Sequence, residues 1–238
     1  MATVAVLPIK TFAHAKHRLA EAVGAPDRRA LAEAMVGDVL EALGAVTGLD
    51  GVVAVTAEPR AAAAAREAGA RVVHDDREAG QSAAVTLGIE AVLSLGADRV
   101  LLVPGDCPSL DPGELSALLA ARHHARPAAP ERRSTPDHAG AELVIVADRH
   151  GSGTNALLLS PPEAIAPSFG AGSLARHAAR GRSAGAAVRI VEVPSLSLDV
   201  DTPGDLDALR AVLAARKGGA ARTRALLERL LPRAAATG

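Results

Sequence analysis

Short aliphatic runs alternate along the chain with longer segments of helical periodicity. Residues 3–9 are apolar and β-branched and read as a first strand. Strands are also predicted at 52–56, 71–74, 99–103, 142–147, 155–159 and 187–193. Within 27–45 the apolar positions Leu31, Met35, Val39, Leu40 and Leu43 follow the 3.6-residue period, and Pro26 precedes them. Further helices are predicted at 59–68, which Gly69 stops, and at 81–95, 110–123, 174–180, 203–216 and 220–231. Alternation of strand and helix predicts a doubly wound parallel sheet. Residues 100–103 are four aliphatics without polar interruption, as in a strand buried on both faces.

The chemistry lies in the breaks. Pro104, Gly105 and Pro108 end the run at 100–103 and leave Asp106 beyond the carboxyl end of the strand. Open α/β sheets bind ligands there. Asp106 either makes the turn or holds a cation against phosphates. The segment 10–19 after the first strand is basic, with Lys10, Lys16 and Arg18 beside His14 and His17. It lacks G-x-x-x-x-G-K-[ST] and is no P-loop. It is either a solvated basic stretch or a phosphate-holding loop in which Lys16 and Arg18 reach one polyphosphate. Ser82, in the Gly80-Gln81-Ser82 corner, is a second candidate contact, because helix N-termini offer free N–H groups to anions.

In Ser197-Leu198-Asp199-Val200-Asp201-Thr202-Pro203, an extended backbone turns Asp199 and Asp201 to one side and Leu198 and Val200 to the core. Thr202 is placed to cap a helix beginning at Pro203. The pair is either two carboxylates presented together, or one capping and one solvated Asp. Each pair of unit charges at about 4 Å repels by roughly 4 kcal/mol at an effective dielectric of 20. A cluster of Asp106, Asp199 and Asp201 therefore needs cations. Oxygen-only ligands with phosphate favour magnesium or manganese.

The G-x-G-x-x-A run at 151–156 lies mid-chain, without a long helix after it or an acid about 20 residues on, so it is a poor dinucleotide fingerprint. It reads as a turn presenting the Thr154 hydroxyl. Gly170, Gly172 and Ser173 lead into a predicted helix, as an anion nest or a plain Gly-rich loop. His177, four residues from Ser173 on the same helix face, reads as a surface histidine, with ligand contact as the alternative.

Composition narrows the function. Among 238 residues the only aromatics are Phe12 and Phe169, which excludes the stacking platforms used for single-stranded nucleic acid. A net charge of −1 recruits no polyanion, but leaves open a small phosphorylated substrate held by local charges. A single cysteine, Cys107, excludes an intrachain disulfide and a cysteine zinc site, and reads as a buried neighbour of the break. The eight histidines form no metal pattern. With no signal-peptide pattern and no apolar run of membrane-spanning length, a soluble cytoplasmic protein is expected. Residues 125–140 hold three prolines and read as a mobile surface loop. From Arg210 onward there are seven basic residues and one acidic, which suggests a solvated tail.

Taken together, P-I-K…A-K-x-R-L after the first strand, P-G-D-C-P-S-L, G-T-N-A-L-L-L, F-G-x-x-S-x-x-x-H and L-D-V-D-T-P-x-D-L resemble one family. It is the 2-phospho-L-lactate or phosphoenolpyruvate guanylyltransferases of coenzyme F-420 biosynthesis. The resemblance covers residues 4 to about 210. It implies a nucleotidyltransferase-like, Rossmann-like α/β fold with a mixed, mostly parallel sheet and helices on both faces. That domain would span 1–216, followed by a basic C-terminal helix or tail at 217–238. The resemblance implies that Thr154, Gly170 and Ser173 bind the phosphorylated acid. Asp106, Asp199 and Asp201 would hold magnesium, and Lys10, Lys16, Arg18 and Ser82 would meet GTP. Asp106, Lys16 and Arg18 would carry catalysis. The glycine-rich first loop of the wider sugar-nucleotidyltransferase fold is absent, so the basic segment 10–18 must do its work. Phosphoenolpyruvate is the expected acid, with 2-phospho-L-lactate and 3-phosphoglycerate as alternatives. A downstream F-420 biosynthesis transferase is a possible partner; nucleic acid and membrane are not expected. A GTP sensor without turnover is the alternative of a different class.

Overall fold

A computed structural model describes residues 1–121 and 140–230. Most of the proline-rich segment 125–140, and 231–238, therefore lie outside the described residues. Seven strands form one sheet in the order β3-β2-β1-β4-β6-β5-β7. They are β1 (Thr3–Ile9), β2 (Gly51–Thr56), β3 (Arg71–His74), β4 (Arg99–Leu102), β5 (Glu142–Ala147), β6 (Thr154–Ser160) and β7 (Ala187–Val191). The helices are α1 (Ala25–Gly44), α2 (Pro59–Glu67), α3 (Gln81–Ser94), α4 (Pro112–Ala120), α5 (Ser173–Ser183), α6 (Pro203–Ala215) and α7 (Ala221–Leu230).

All pairings are parallel except those of β6, which runs antiparallel to both β4 and β5. The sheet is thus mixed and mostly parallel, and the all-parallel reading of strand–helix alternation is corrected at β6. The reason is the link at 148–153, too short for the crossover that a parallel neighbour requires. Asp148 sets this turn by accepting from the N–H groups of His150 (3.2 Å) and Ser152 (3.0 Å).

Both sheet faces are buried, as the uninterrupted aliphatic runs require. Ala5, Leu7 and Ile9 pack on one side with Val36 and Leu40 of α1, Ala61 of α2 and Leu115 of α4. Val4 and Val6 pack on the other with Val85, Ile89 and Val92 of α3 and Ala178 of α5. A third apolar cluster joins Leu19 and Met35 to Leu198, Val200, Leu206 and Leu209, and to Leu226 and Leu227 of α7. The C-terminal basic stretch is therefore not simply a solvated tail. Arg222 stays exposed and pairs with Glu41 at 2.6 Å, but α7 buries Leu226 and Leu227. Asp38 of α1, 4% exposed, accepts from Arg222 N–H (3.0 Å) and Thr223 N–H (2.8 Å) and so caps α7 across the fold.

Candidate active site

β1 and β4 are parallel neighbours in the sheet. The chain returns from β1 to β2 on one side, while β4 pairs with β6 on the other. A cleft forms at such a switch point, beyond the carboxyl ends of the strands. Here it holds about 760 Å³. Lys10, Lys16, Arg18, Asp106, Thr154, Gly170, Ser173, Asp199 and Asp201 all line it. Ser82 does not. Its hydroxyl instead accepts from Phe169 N–H at 3.0 Å, so it fastens the 168–173 loop to the start of α3.

One half of the cleft is acidic. Leu198 and Val200 are buried in the third cluster, which turns Asp199 and Asp201 outward, as strand alternation requires. Val200 N–H donates to Asp106 C=O at 3.2 Å and ties this segment to the break after β4. Thr202 caps α6 in a reciprocal box with Asp205. Burial pushes the Asp205 carboxyl up, but hydrogen bonds from Thr202 and Asp201, and the Arg149 guanidinium paired with it, hold it below the usual range.

Lys16 is drawn into this half. Its Nζ donates to Asp106 Oδ2 (2.7 Å) and Asp201 Oδ1 (3.1 Å), and its side chain is only 7% exposed. Burial alone would lower its pKa; the two carboxylates more than offset that and raise it. Its backbone is left-handed, with φ 58°, and Leu19 anchors the following turn in the third cluster. Arg18, two residues on, stays exposed and lines the same cleft. Burial, then the Asp106 charge, push the Asp199 carboxyl up. Three carboxylates, only two of them paired with the one ammonium, leave an excess of negative charge on oxygen donors. That chemistry suits a hard divalent cation. Among the described residues, no three acidic, histidine or cysteine side chains already close into a metal cage; the ammonium stands between two of the acids instead.

The other half presents open backbone amides. Gly170, with φ +105°, and Gly172, with φ +69°, wind the chain into α5 through conformations that side chains rarely adopt. Arg176 gathers the carbonyls of this loop, donating to Ser168 O (3.1 Å), Phe169 O (3.3 Å), Gly170 O (3.4 Å) and Ala171 O. The N–H groups of Gly170, Ala171 and Gly172 meet no acceptor among the described residues. Carbonyls held back and amides left open make an anion nest.

Three residues here carry more than their sequence signals. Asn155 Nδ2 donates to Leu196 O (2.7 Å) and Asp199 Oδ1 (3.4 Å). Arg176 organises the nest. His177 is fully buried rather than at the surface, because α5 packs that face onto the sheet. A polar pair, Thr154-Asn155, opening an otherwise apolar strand was the hint to Asn155, and the four-residue spacing from Ser173 was the hint to His177. Cys107 is buried as expected, and burial, then the Asp106 charge, push its thiol well up, away from thiolate chemistry.

Residues 3–214 match the family described as "Guanylyl transferase CofC like". The chain belongs to this guanylyl transferase family. A phosphoenolpyruvate guanylyltransferase of Conexibacter woesei is 50% identical over 231 residues, 97% of each chain. A 3-phospho-D-glycerate guanylyltransferase of Phenylobacterium zucineum is 36% identical over 205 residues, covering 84% of this chain and 86% of that one. Among solved structures, a nucleotidyl transferase from Methanothermobacter thermautotroptrophicus aligns with a TM-score of 0.59 at 18% identity, over 90% of this chain and 98% of that one. That likeness shows the nucleotidyltransferase-like fold. Membership makes this chain a nucleotidyl-transferring enzyme, and the cleft at the β1/β4 switch point is its candidate active site.

Proposed function

We propose that this CofC-like enzyme transfers GMP from GTP to phosphoenolpyruvate and releases pyrophosphate, as a step of coenzyme F-420 biosynthesis in the cytoplasm. One observation carries the reading: the carboxylates of Asp106, Asp199 and Asp201 and the donor groups of Thr154, Gly170, Ala171 and Ser173 line one cleft. A nucleoside triphosphate and a phosphorylated acid need such a pairing. The name of the 50%-identical relative supports phosphoenolpyruvate as the acid; that of the Phenylobacterium relative keeps 3-phosphoglycerate as the second reading.

In this mechanism a phosphate oxygen of the acid attacks the α-phosphorus of GTP. The bond to the β-phosphate breaks, and pyrophosphate leaves. A phosphate monoester is largely ionised at neutral pH, so no general base is required. That agrees with the cleft, where Cys107 is held as a thiol and His177 is committed to internal hydrogen bonds. Catalysis is then positioning and charge neutralisation. Lys10 and Arg18 meet the triphosphate from the exposed side, and Lys16 from the floor of the acidic half. Thr154, Gly170 and Ser173 hold the acid. Asp106, Asp199 and Asp201 would hold magnesium or manganese, which when bound supplies charge neutralisation to the triphosphate and polarises its α-phosphorus.

The test is incubation with GTP, magnesium and each of phosphoenolpyruvate, 2-phospho-L-lactate and 3-phosphoglycerate, with product masses and pyrophosphate read out. Guanylylated phosphoenolpyruvate is expected as the dominant product. GTP binding without pyrophosphate from any acid would leave a nucleotide sensor instead. Asp106→Asn and Asp199→Asn should each abolish turnover with the fold retained by circular dichroism; near-normal pyrophosphate release by both would count against the carboxylate roles.

A further inference from the structure

His177 sits behind the anion-accepting half with no exposed surface, and both ring nitrogens are engaged. Ser168 N–H lies 2.8 Å from Nε2, and Thr154 Oγ1 lies 3.0 Å from Nδ1. A backbone N–H can only donate, so Nε2 must carry the lone pair. In a neutral ring the proton is then on Nδ1, pointing at Thr154 Oγ1. The Thr154 oxygen is thereby the acceptor in that pair. Its own proton must turn elsewhere, and no other acceptor among the described residues takes it. Thr154 lines the cleft.

We propose that His177, as the neutral Nδ1–H tautomer, is the positioning residue of the acid-binding half: it turns the Thr154 hydroxyl proton toward the substrate's anionic oxygens and pins the Ser168 end of the Gly170–Ser173 nest. The proposal rests on the reading of Thr154 and the nest as the site of the phosphorylated acid. One ring sets both contacts, which couples the hydroxyl donor to the amide donors in a single geometry. Burial, and the neighbouring Arg180 and Arg176 guanidinium groups of the same helix, push the ring down to about 4, so it is neutral at the working pH. Phe169 closes over it edge-on at 5.2 Å. A protonated ring would set an N–H against Ser168 N–H and undo the loop contact.

Two substitutions separate the two jobs. In His177→Asn the amide nitrogen takes the place of Nδ1, so the donor to Thr154 survives and the Ser168 contact is lost. In His177→Gln the amide oxygen reaches the place of Nε2, so the Ser168 contact survives and the donor is lost. Hydrogen bonds to charged groups typically account for about ten- to a hundredfold in affinity. His177→Gln should therefore raise KM for phosphoenolpyruvate about ten- to a hundredfold and leave KM for GTP unchanged. Thr154→Val should match it, and the double variant should be no worse than either single. His177→Asn should fall between wild type and His177→Gln. In the unsubstituted protein, imidazole nitrogen NMR should show Nδ1 protonated and Nε2 pyridine-like at pH 7.

An Nε2–H tautomer overturns the proposal whether or not the variants fold. So do equal rises in both KM values, additive effects in the double variant, or an unmoved KM in His177→Gln. Unsubstituted enzyme that releases no pyrophosphate with any of the three acids removes the functional reading and this proposal with it. Normal turnover with an indifferent His177→Gln removes the proposal alone.

Discussion

Lys16 occupies the position on which the cleft's charge balance depends. Its ammonium pairs with both Asp106 and Asp201. A buried ion pair that loses one partner leaves an uncompensated charge. In Lys16→Gln, Asp106 and Asp201 lose their shared counter-ion, and an added divalent cation no longer competes with the ammonium. Magnesium alone should then raise the melting temperature of Lys16→Gln more than that of the unsubstituted protein, while pyrophosphate release falls at least tenfold. Equal magnesium shifts in the two proteins would argue that the ion does not enter between these carboxylates.

His177 makes a second prediction at this scale. Its pKa is lowered from 6.5 to about 4 by burial, with Arg180 and Arg176 adding to the shift. The unfolded chain therefore binds a proton in that window that the folded chain does not. Folding stability must rise with pH from about 4 to 6.5 and fall as pH is lowered through it, by up to about 3 kcal/mol. Denaturant unfolding at a series of pH values should show this slope, and His177→Gln should lose its part of it.

At the scale of elements, what aims the site is the β5–β6 pairing. Val146 faces Ala156, yet Ala147 faces Thr154, so Asn155 is an extra residue in the ladder. Bulges re-aim side chains and are common beside active sites. Continuing the alternation of Leu157 and Leu159, Asn155 would face α3 and α5 and Thr154 the opposite side. The bulge reverses this: Thr154 reaches His177 on α5, and Asn155 reaches Leu196 and Asp199. Helix α5 must also lie close to the sheet to bring Ser173 and His177 to the cleft. Gly181 permits it, since a Cβ there would stand 2.6 Å from Leu143 Cδ2 and 2.7 Å from Val188 Cγ2. Gly181→Val should destabilise the fold by about 1–3 kcal/mol and raise KM for the acid more than KM for GTP. An unchanged midpoint in urea would show that α5 has more room than the packing implies.

At the scale of the whole molecule, the acidic half of the cleft is held from behind by the third apolar cluster. Leu19 from the basic segment, Leu198 and Val200 from the acidic segment, and Leu226 and Leu227 from α7 share it. Loss of α7 packing therefore bears on Lys16, Asp199 and Asp201 together. Asp38 is the polar end of that packing, since it satisfies two N–H groups at the start of α7. Asp38→Ala should cost about 1–2 kcal/mol, as loss of a helix cap does, and should reduce turnover although Asp38 lies outside the cleft. Stability unchanged in thermal unfolding would show that α7 contributes little to the acidic half.

The strands were legible as short β-branched aliphatic runs, and the helices by a 3.6-residue period, because both are local properties. Asp199 and Asp201 were legible from the period of 2 in an extended chain: apolar neighbours on either side fix which way they point. The basic segment after β1 and the nest before α5 could be found by composition, but the direction of each side chain could not. Aliphatic runs read alike in either direction, so the antiparallel course of β6 had to come from the shortness of its link to β5. Residues far apart in sequence decided the rest: Lys16 settles between Asp106 and Asp201, Ser82 turns to Phe169, and His177 is sealed behind Thr154. Which charge neutralises which, and which hydroxyl keeps its proton for a substrate, depends on distances and burial that only the packed chain creates, because both vary with neighbours that sequence order does not name.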